Sequence, residues 1–353
     1  MDFNLDETQT EIRTLAADLL TREATPARLE AYDKSGEPYD ADLWQALAKA
    51  GLIGICLPES AGGAGYGPVE LAVILREAGA RVAPVPLAPS LVAGLTIAQH
   101  GTQAQKDALA PLAEGEIILT YALREPGADL QDPPKTTATD NRLTGRKSLV
   151  SYAAESAGIL LTADTGTHTQ LYLVDPADVT ITDAPLSTGE PGSVITLQDT
   201  PGQPVGDADA AEALKLNALA AITATASGVL SGALTLTTVY IKTRRQFDRA
   251  LAEFQAVTVQ IADVYIAGRA LDVAVWSGAW RLAQGLPAEQ DLAIAALHTA
   301  DSALRALYTC QHLHGGIGLD VSYPLHRYFA WGKHAAHLLG GPDAQLDLIG
   351  ALV

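Results

Sequence analysis

Bases, cysteines and aromatics are scarce in this 353-residue chain. Only 23 Lys and Arg stand against 41 Asp and Glu, a net charge of −18. A protein that tracks nucleic-acid phosphates needs a broad basic face, and this composition cannot build one. An anionic membrane surface is a poor partner for the same reason. Two cysteines, Cys56 and Cys310, cannot make a disulfide framework and suit a reducing compartment. The opening stretch MDFNLDETQTEIRTL lacks the basic and apolar regions of a secretory signal, so a cytoplasmic location is expected. Long apolar runs are missing too: residues 218–236 are interrupted by Thr, Ser and Gly, which argues against a membrane span.

With four Phe and one Met, the apolar content falls to Ala, Leu and Val. It still reaches 48% of residues with a mean hydropathy of +0.13, enough for a substantial core and incompatible with disorder. Ala and Leu favour helix, and the length suits two or three domains. Asn4 can cap a first helix carrying Ile12, Leu15, Ala16, Leu19 and Leu20 at helical spacing. A second is predicted over 41–50, ending at Gly51, and a third from Pro68. Further helices fit 89–100 and 102–113. From about Glu116 the pattern changes to short β-type runs at 117–123, 143–150, 159–163, 171–174, 179–182 and 194–197. Helical patterning returns at Asp207 and holds through 207–242, 255–282 and from 287 past Tyr308. The expectation is an α+β protein of three domains. Residues 1–115 form an N-terminal helical domain, 116–206 a middle β-barrel or sandwich, and 207–353 a C-terminal four-helix bundle.

Two glycine- and metal-like motifs carry little. Gly62-Gly63-Ala64-Gly65-Tyr66-Gly67 has no preceding parallel strand, so a tight interhelical loop is preferred over a dinucleotide fingerprint. Cys310 and His314 share a helical face while His312 points away, and no further ligand pair is in reach, so no metal is expected. Arg244-Arg245-Gln246-Phe247, followed by Phe254-Gln255-Ala256-Val257, says more. A planar cationic fork suited to phosphate and an aromatic stacking surface bunch at the end of a long helix, although ordinary helix-end charge is an alternative. His314-Gly315-Gly316-Ile317-Gly318 with Tyr323-Pro324-Leu325-His326-Arg327 is similar: the glycines allow close approach of a ligand, and a plain C-cap accounts for one of them.

Taken in order, these pieces resemble the acyl-CoA dehydrogenase family over essentially the whole chain. The resemblance also runs through Leu43-Trp44, Leu47-Ala48, Gly51-Leu52, Leu57-Pro58-Glu59, Gln105-Lys106, Glu114-Gly115-Glu116, Glu125-Pro126-Gly127-Ala128 and Gly145-Arg146-Lys147. It implies an FAD enzyme that desaturates a CoA thioester between Cα and Cβ, with a glutamate as base and an electron-transfer acceptor to reoxidise the flavin. Counted from Gly315, the position of that glutamate holds Leu339; the alternative position, early in the preceding long helix, falls at or near Ala218.

In the family each flavin lies between two subunits, and the departures here are one-sided. Among residues expected to hold the flavin ring, Arg124, Asp129-Leu130 and Leu149 break the pattern and only Ser151 keeps its hydroxyl. Among those reaching to the neighbour's flavin, Arg244, Gln246, Phe247, Gly315, Gly316 and Gly318 remain, with His312 where a Gln is usual. The implied arrangement is an α2β2 hetero-oligomer in which this chain completes the FAD site of a catalytic acyl-CoA dehydrogenase subunit. By family analogy the acyl group is a steroid or other bulky side chain. Two rivals stand beside it: a self-sufficient homotetramer using Asp343 as a displaced base, and a flavin-free structural or binding subunit. For Asp343 the plainer expectation is that Gly340-Gly341-Pro342 breaks the helix and Asp343 caps the next one.

Overall fold

The computed structural model describes residues 3–352. The chain opens with α1 (Glu7–Glu23), α2 (Pro26–Ser35), α3 (Ala41–Lys49), α4 (Pro68–Ala80), α5 (Leu87–His100), α6 (Gln103–Asp107) and α7 (Ala110–Ala113). The cap of α1 is Asp6, two residues later than expected. Its carboxylate accepts from Gln9 N at 2.8 Å while Gln9 Oε1 accepts from Asp6 N at 3.2 Å, a reciprocal capping box that fixes the start of the helix at Glu7. Helix α2 has a single buried residue, Leu29, so it left no apolar period in the sequence. The helix expected over 102–113 is two helices, because the Pro111 ring clashes with the Asp107 carbonyl and α6 ends there. Gly62–Gly67 is a tight loop, with Gly62 and Gly65 in left-handed conformations and Gly65 N bonded to Leu57 O at 2.8 Å.

Next come β1 (Leu119–Ala122), β2 (Thr137–Thr139), β3 (Arg142–Ser151), β4 (Gly158–Asp164), β5 (Thr169–Val174), β6 (Thr180–Asp183), β7 (Gly192–Pro201) and β8 (Gln203–Pro204). They form one mixed eight-stranded sheet in the order β6-β7-β3-β2-β4-β5-β8, with β1 parallel on β4. Leu143, Val150, Ile159, Leu161, Tyr172, Ile195 and Leu197 make its apolar core. Strands β2 and β8, three and two residues long, are too short to show alternation and were not foreseen.

The rest is α8 (Ala208–Thr243), a hairpin of β9 (Arg245–Gln246) and β10 (Arg249–Ala250), then α9 (Gln255–Ala283), α10 (Glu289–Leu297), a π-helical turn His298–Ala303, α11 (Leu304–His314), α12 (Leu325–Leu338) and α13 (Gly341–Leu352). The class is α+β: helices, a sheet, then helices. By its apolar length α8 could cross a membrane, but 72% of its most apolar window is buried inside the protein, as in a core helix.

The chain divides into two compact units. One comprises Tyr32–Leu71 and Pro84–Ala221 and contains the sheet; the other comprises Met1–Ala31, Ala72–Ala83 and Ile222–Val353 and is helical apart from the hairpin. Within the helical unit α4 and α8 touch backbone to backbone. A Cβ on Gly228 would lie 1.9 Å from Arg76 O, and one on Gly79 2.2 Å from Thr225 O, so both positions require glycine. Beside this crossing, buried Asp272 accepts from Arg76 Nε at 3.0 Å, Arg269 Nη1 at 3.0 Å and Ser227 Oγ.

Candidate functional site

Arg244 begins where α8 ends, its N–H bonded to Tyr240 O at 2.8 Å. Helix α8 ends at Thr243, one residue past the expected 242, and the chain then turns into the β9–β10 hairpin, with Arg245 paired to Ala250 and Gln246 to Arg249. Phe247 (φ 52°) and Asp248 (φ 61°) are its two turn residues, both left-handed, in positions that normally take Asn-Gly. Holding a bulky L-residue there costs roughly 1–2 kcal/mol. The turn is clasped by an Arg245 bond to Asp248 O and by Glu253 Oε1, which accepts from Ala250 N at 2.8 Å. Its product is a projecting aromatic: Phe247 is 87% exposed. The exposed Arg244 guanidinium and Gln246 amide form no hydrogen bond or ion pair among the described residues. With Lys242, Arg245 and Arg249 nearby, this is a cationic arm on a chain of net charge −18.

The second element is the turn after α11. Gly315 has φ 62° and ψ −141°, a conformation closed to residues with a Cβ. A Cβ on Gly315 or Gly316 would meet nothing within 4 Å, whereas one on Gly318 would lie 2.8 Å from Gln311 O. Gly318 is therefore glycine for packing, while Gly315 and Gly316 present bare backbone outward. His312 is exposed on the last turn of α11. Tyr240 joins the two elements. Its ring stacks on His314 at 4.4 Å and 20°, and its hydroxyl donates to His314 O at 3.3 Å. An open guanidinium, an exposed aromatic and approachable glycine backbone fit the pyrophosphate and flat faces of a flavin dinucleotide presented from outside.

Ser151 belongs to the sheet unit. It ends β3, its carbonyl accepts from Thr120 Oγ1 at 2.7 Å, and its hydroxyl makes no hydrogen bond among the described residues. Leu149 (φ 56°) and Tyr152 (φ 55°) on either side are left-handed, and β3 slips register against β7 between Lys147 and Val150. Beneath this bulge lies a cluster that sequence reasoning noted only as separate motifs. Lys147 Nζ meets Glu125 Oε1 at 2.8 Å, both buried, and Glu125 also accepts from Thr136 N at 2.9 Å, Thr136 Oγ1 at 2.6 Å and Lys135 N at 2.7 Å. Gly145 is there because a Cβ would sit 2.5 Å from Thr136 Oγ1. Burial alone would raise the Glu125 pKa, but the Lys147 ammonium and the Thr136 donors hold it below the ordinary value; burial lowers that of Lys147. Thr136, the meeting point, has no distinguishing signal in the sequence.

Leu339 caps α12 and is wholly buried, its carbonyl accepting from Gln345 Nε2 at 2.6 Å. Gly340 (φ 79°) and Gly341 (φ 82°) break the helix, so Asp343 does not share a continuous helical face with Leu339. Nor is Asp343 the N-cap: it is exposed, as the third residue of α13, where a negative charge favours the helix dipole. Ala218, in the sheet unit, is wholly buried. Among the described residues no group of three or more His, Cys, Asp or Glu could hold a metal. A cavity of about 560 Å³ in the sheet unit is lined by Asp33, Glu37, Glu155, Asp183 and Glu190. Burial raises the Glu190 pKa, and the acidic lining is unsuited to an anionic nucleotide.

Comparisons with known proteins converge. Residues 6–116 match the family model "Acyl-CoA dehydrogenase, N-terminal domain" and residues 209–353 the model "Acyl-CoA dehydrogenase, C-terminal domain". Acyl-CoA dehydrogenase FadE28 of Mycobacterium tuberculosis is 39% identical over 317 residues, 87% of this chain and 91% of the relative. Among solved structures, the Tcur3481-Tcur3483 steroid ACAD G363A variant superposes with a TM-score of 0.93 at 40% identity, over 98% of this chain and 97% of that one. The ChsE4-ChsE5 complex from Mycobacterium tuberculosis gives a TM-score of 0.93 at 31% identity, over 99% and 98%.

Proposed function

This chain belongs to the acyl-CoA dehydrogenase family, and we propose that within it the chain is a supporting subunit that completes the FAD site of a catalytic partner. One observation carries the reading. The residues that reach outward, Arg244, Gln246, Phe247, His312, Gly315 and Gly316, are exposed together, whereas the position expected to hold the base is a buried leucine. FAD is the cofactor of the family, and when bound it supplies the hydride acceptor of the desaturation. In this reading Arg244 pairs with the FAD pyrophosphate, Phe247 packs on the cofactor, and the Gly315–Gly316 backbone approaches it closely. His312 and Gln246 complete the polar contacts. Ser151 is the residual hydroxyl of this chain's own flavin-side pattern.

The partner contributes the carboxylate that removes the Cα proton and holds the flavin ring. The two structural neighbours are complexes of paired subunits, one described as a steroid enzyme, which supports an α2β2 assembly acting on a steroid or similarly bulky CoA thioester. An electron-transfer acceptor completes the cycle, and a cytoplasmic setting suits such a system. The displaced-base alternative is weakened by the Gly340–Gly341 break, which separates Asp343 from Leu339.

The test is to purify the chain alone and with its partner and record the flavin spectrum. The expected result is no bound flavin alone and one FAD per pair of chains in the mixed complex, held measurably more weakly on Arg244→Ala. Yellow, active protein from this chain alone overturns the reading. An intact but colourless mixed complex supports the flavin-free alternative instead.

A further inference from the structure

Three separate segments converge on one imidazole in the helical unit. His314 is the last residue of α11, and its Nδ1 lies 2.8 Å from Cys310 O, one turn back. A carbonyl only accepts, so Nδ1 carries the proton and the ring supplies a donor to one of the helix's C-terminal carbonyls. That fixes the tautomer: Nε2 is an acceptor, and it faces the Tyr323 hydroxyl at 3.1 Å. The ring's face is covered by Tyr240, stacked at 4.4 Å, and Tyr323 stands edge-on to Tyr240 at 6.3 Å. Burial holds the His314 pKa below its ordinary value, in keeping with a neutral ring.

The consequence is geometric. The glycine turn begins at Gly315, the residue after His314, and returns at Tyr323, whose hydroxyl binds the same ring. Both ends of the turn are thus tied to one side chain. Tyr240 in turn holds the arm, since its carbonyl accepts the Arg244 N–H at 2.8 Å. The ring is the pin through which the glycine turn and the Arg244 arm are set relative to each other. Neither element has its own apolar anchor at the tip: Phe247, Leu319 and Val321 are 87%, 72% and 77% exposed.

We propose that His314 is a positioning residue for the cofactor, acting through Tyr240 and Tyr323 to hold the Arg244 arm and the Gly315–Gly316 backbone at the spacing a dinucleotide requires. This rests on the reading of those elements as an FAD half-site. Side chains that set the separation of two binding elements act through them, so their removal couples to the removal of a direct contact.

The experiment measures FAD dissociation from the intact mixed complex by flavin fluorescence, with complex integrity followed by size exclusion. His314→Ala is expected to weaken FAD binding about tenfold, a loss typical of one supporting contact. His314→Phe restores the stack and His314→Gln restores polar contacts, so each is expected to recover part of the loss. In the Arg244→Ala background, His314→Ala is expected to cost little more, because the contact it positions is already gone. An unchanged FAD affinity in His314→Ala, or full additivity with Arg244→Ala, overturns the proposal while leaving the half-site reading intact. Unchanged affinity in Arg244→Ala alone sinks the half-site reading itself. Should His314→Ala fail to assemble, Tyr240→Leu removes the same stack from the α8 side. It must then weaken FAD binding by a similar factor, and wild-type affinity in that variant overturns the proposal.

Discussion

The two compact units solve opposite problems. The sheet unit hides what is chemically costly: Lys147 and Glu125 are buried together, and the carboxylate also accepts from Thr136 N, Thr136 Oγ1 and Lys135 N. The helical unit displays what is costly. Of seventeen large hydrophobic residues exposed among the described residues, sixteen lie in it, Tyr66 being the exception. They include the strained Phe247 and a run along α9, Val259, Tyr265, Ile266 and Val273, in a stretch where a solvated helix would carry Lys and Glu. Surfaces of that kind are normally covered in an assembly. The contrast teaches that one unit buries its polar cluster within itself, while the other leaves apolar surface uncovered, as the proposed supporting role requires.

The largest expected effect breaks the completeness of the sheet unit. Lys147→Met leaves Glu125 buried without its counter-charge and should cost about 3–5 kcal/mol in urea-induced unfolding. The pH dependence should also weaken. In the wild type Glu125 has a lowered pKa, so its contribution is fully present above the ordinary carboxylate range and is lost as pH falls through the lowered value. Without Lys147 the Thr136 donors still oppose burial but the ammonium does not, so the folded pKa rises toward the unfolded one and less stability is lost on acidification. An unchanged slope of stability against pH would contradict the pairing.

On the helical side, Ile266→Glu should leave folding of the isolated chain within about 0.5 kcal/mol, because the side chain is already exposed. It should weaken the mixed complex by tenfold or more, the loss expected of a central contact, read by analytical ultracentrifugation. Replacing Phe247-Asp248 by Asn-Gly supplies residues suited to the left-handed turn and should stabilise the chain by about 1 kcal/mol, while FAD retention in the complex falls. If both stability and retention rise, the strain at Phe247 serves no docking role. The smallest effect is the thermal stability of the isolated Arg244→Ala chain, which should stay within about 0.5 kcal/mol of wild type.

Much of this was legible in the residues. Leu143, Ile159, Leu171 and Ile195 marked strands because β-branched and leucine runs sat between Gly, Pro and Asp. The stretch 255–282 matched α9 because its apolar period is long enough to average out exceptions. Elements held by other means were invisible: α2, with one buried residue, and β2 and β8, which exist as partners of longer strands. The β9–β10 hairpin left no signal for a related reason. Phe247 and Asp248 have no turn signature, so a hairpin there depends on the clasp from Arg245 and Glu253 rather than on local preference.

The sequence by itself determined the α+β class, the order of helices and strands, and which residues stand at the expected base positions, since periodicity and residue identity are properties of the chain. Only tertiary structure decided that Glu125 and Gly145 meet at Thr136 while Lys147 pairs with Glu125, that Gly318 packs while Gly315 and Gly316 stay open, and that Tyr240 stacks on the His314 ring while Tyr323 binds its Nε2. Those facts depend on which distant segments are brought within a few ångströms. No local pattern encodes that distance, because it is set by the packing of whole helices and strands.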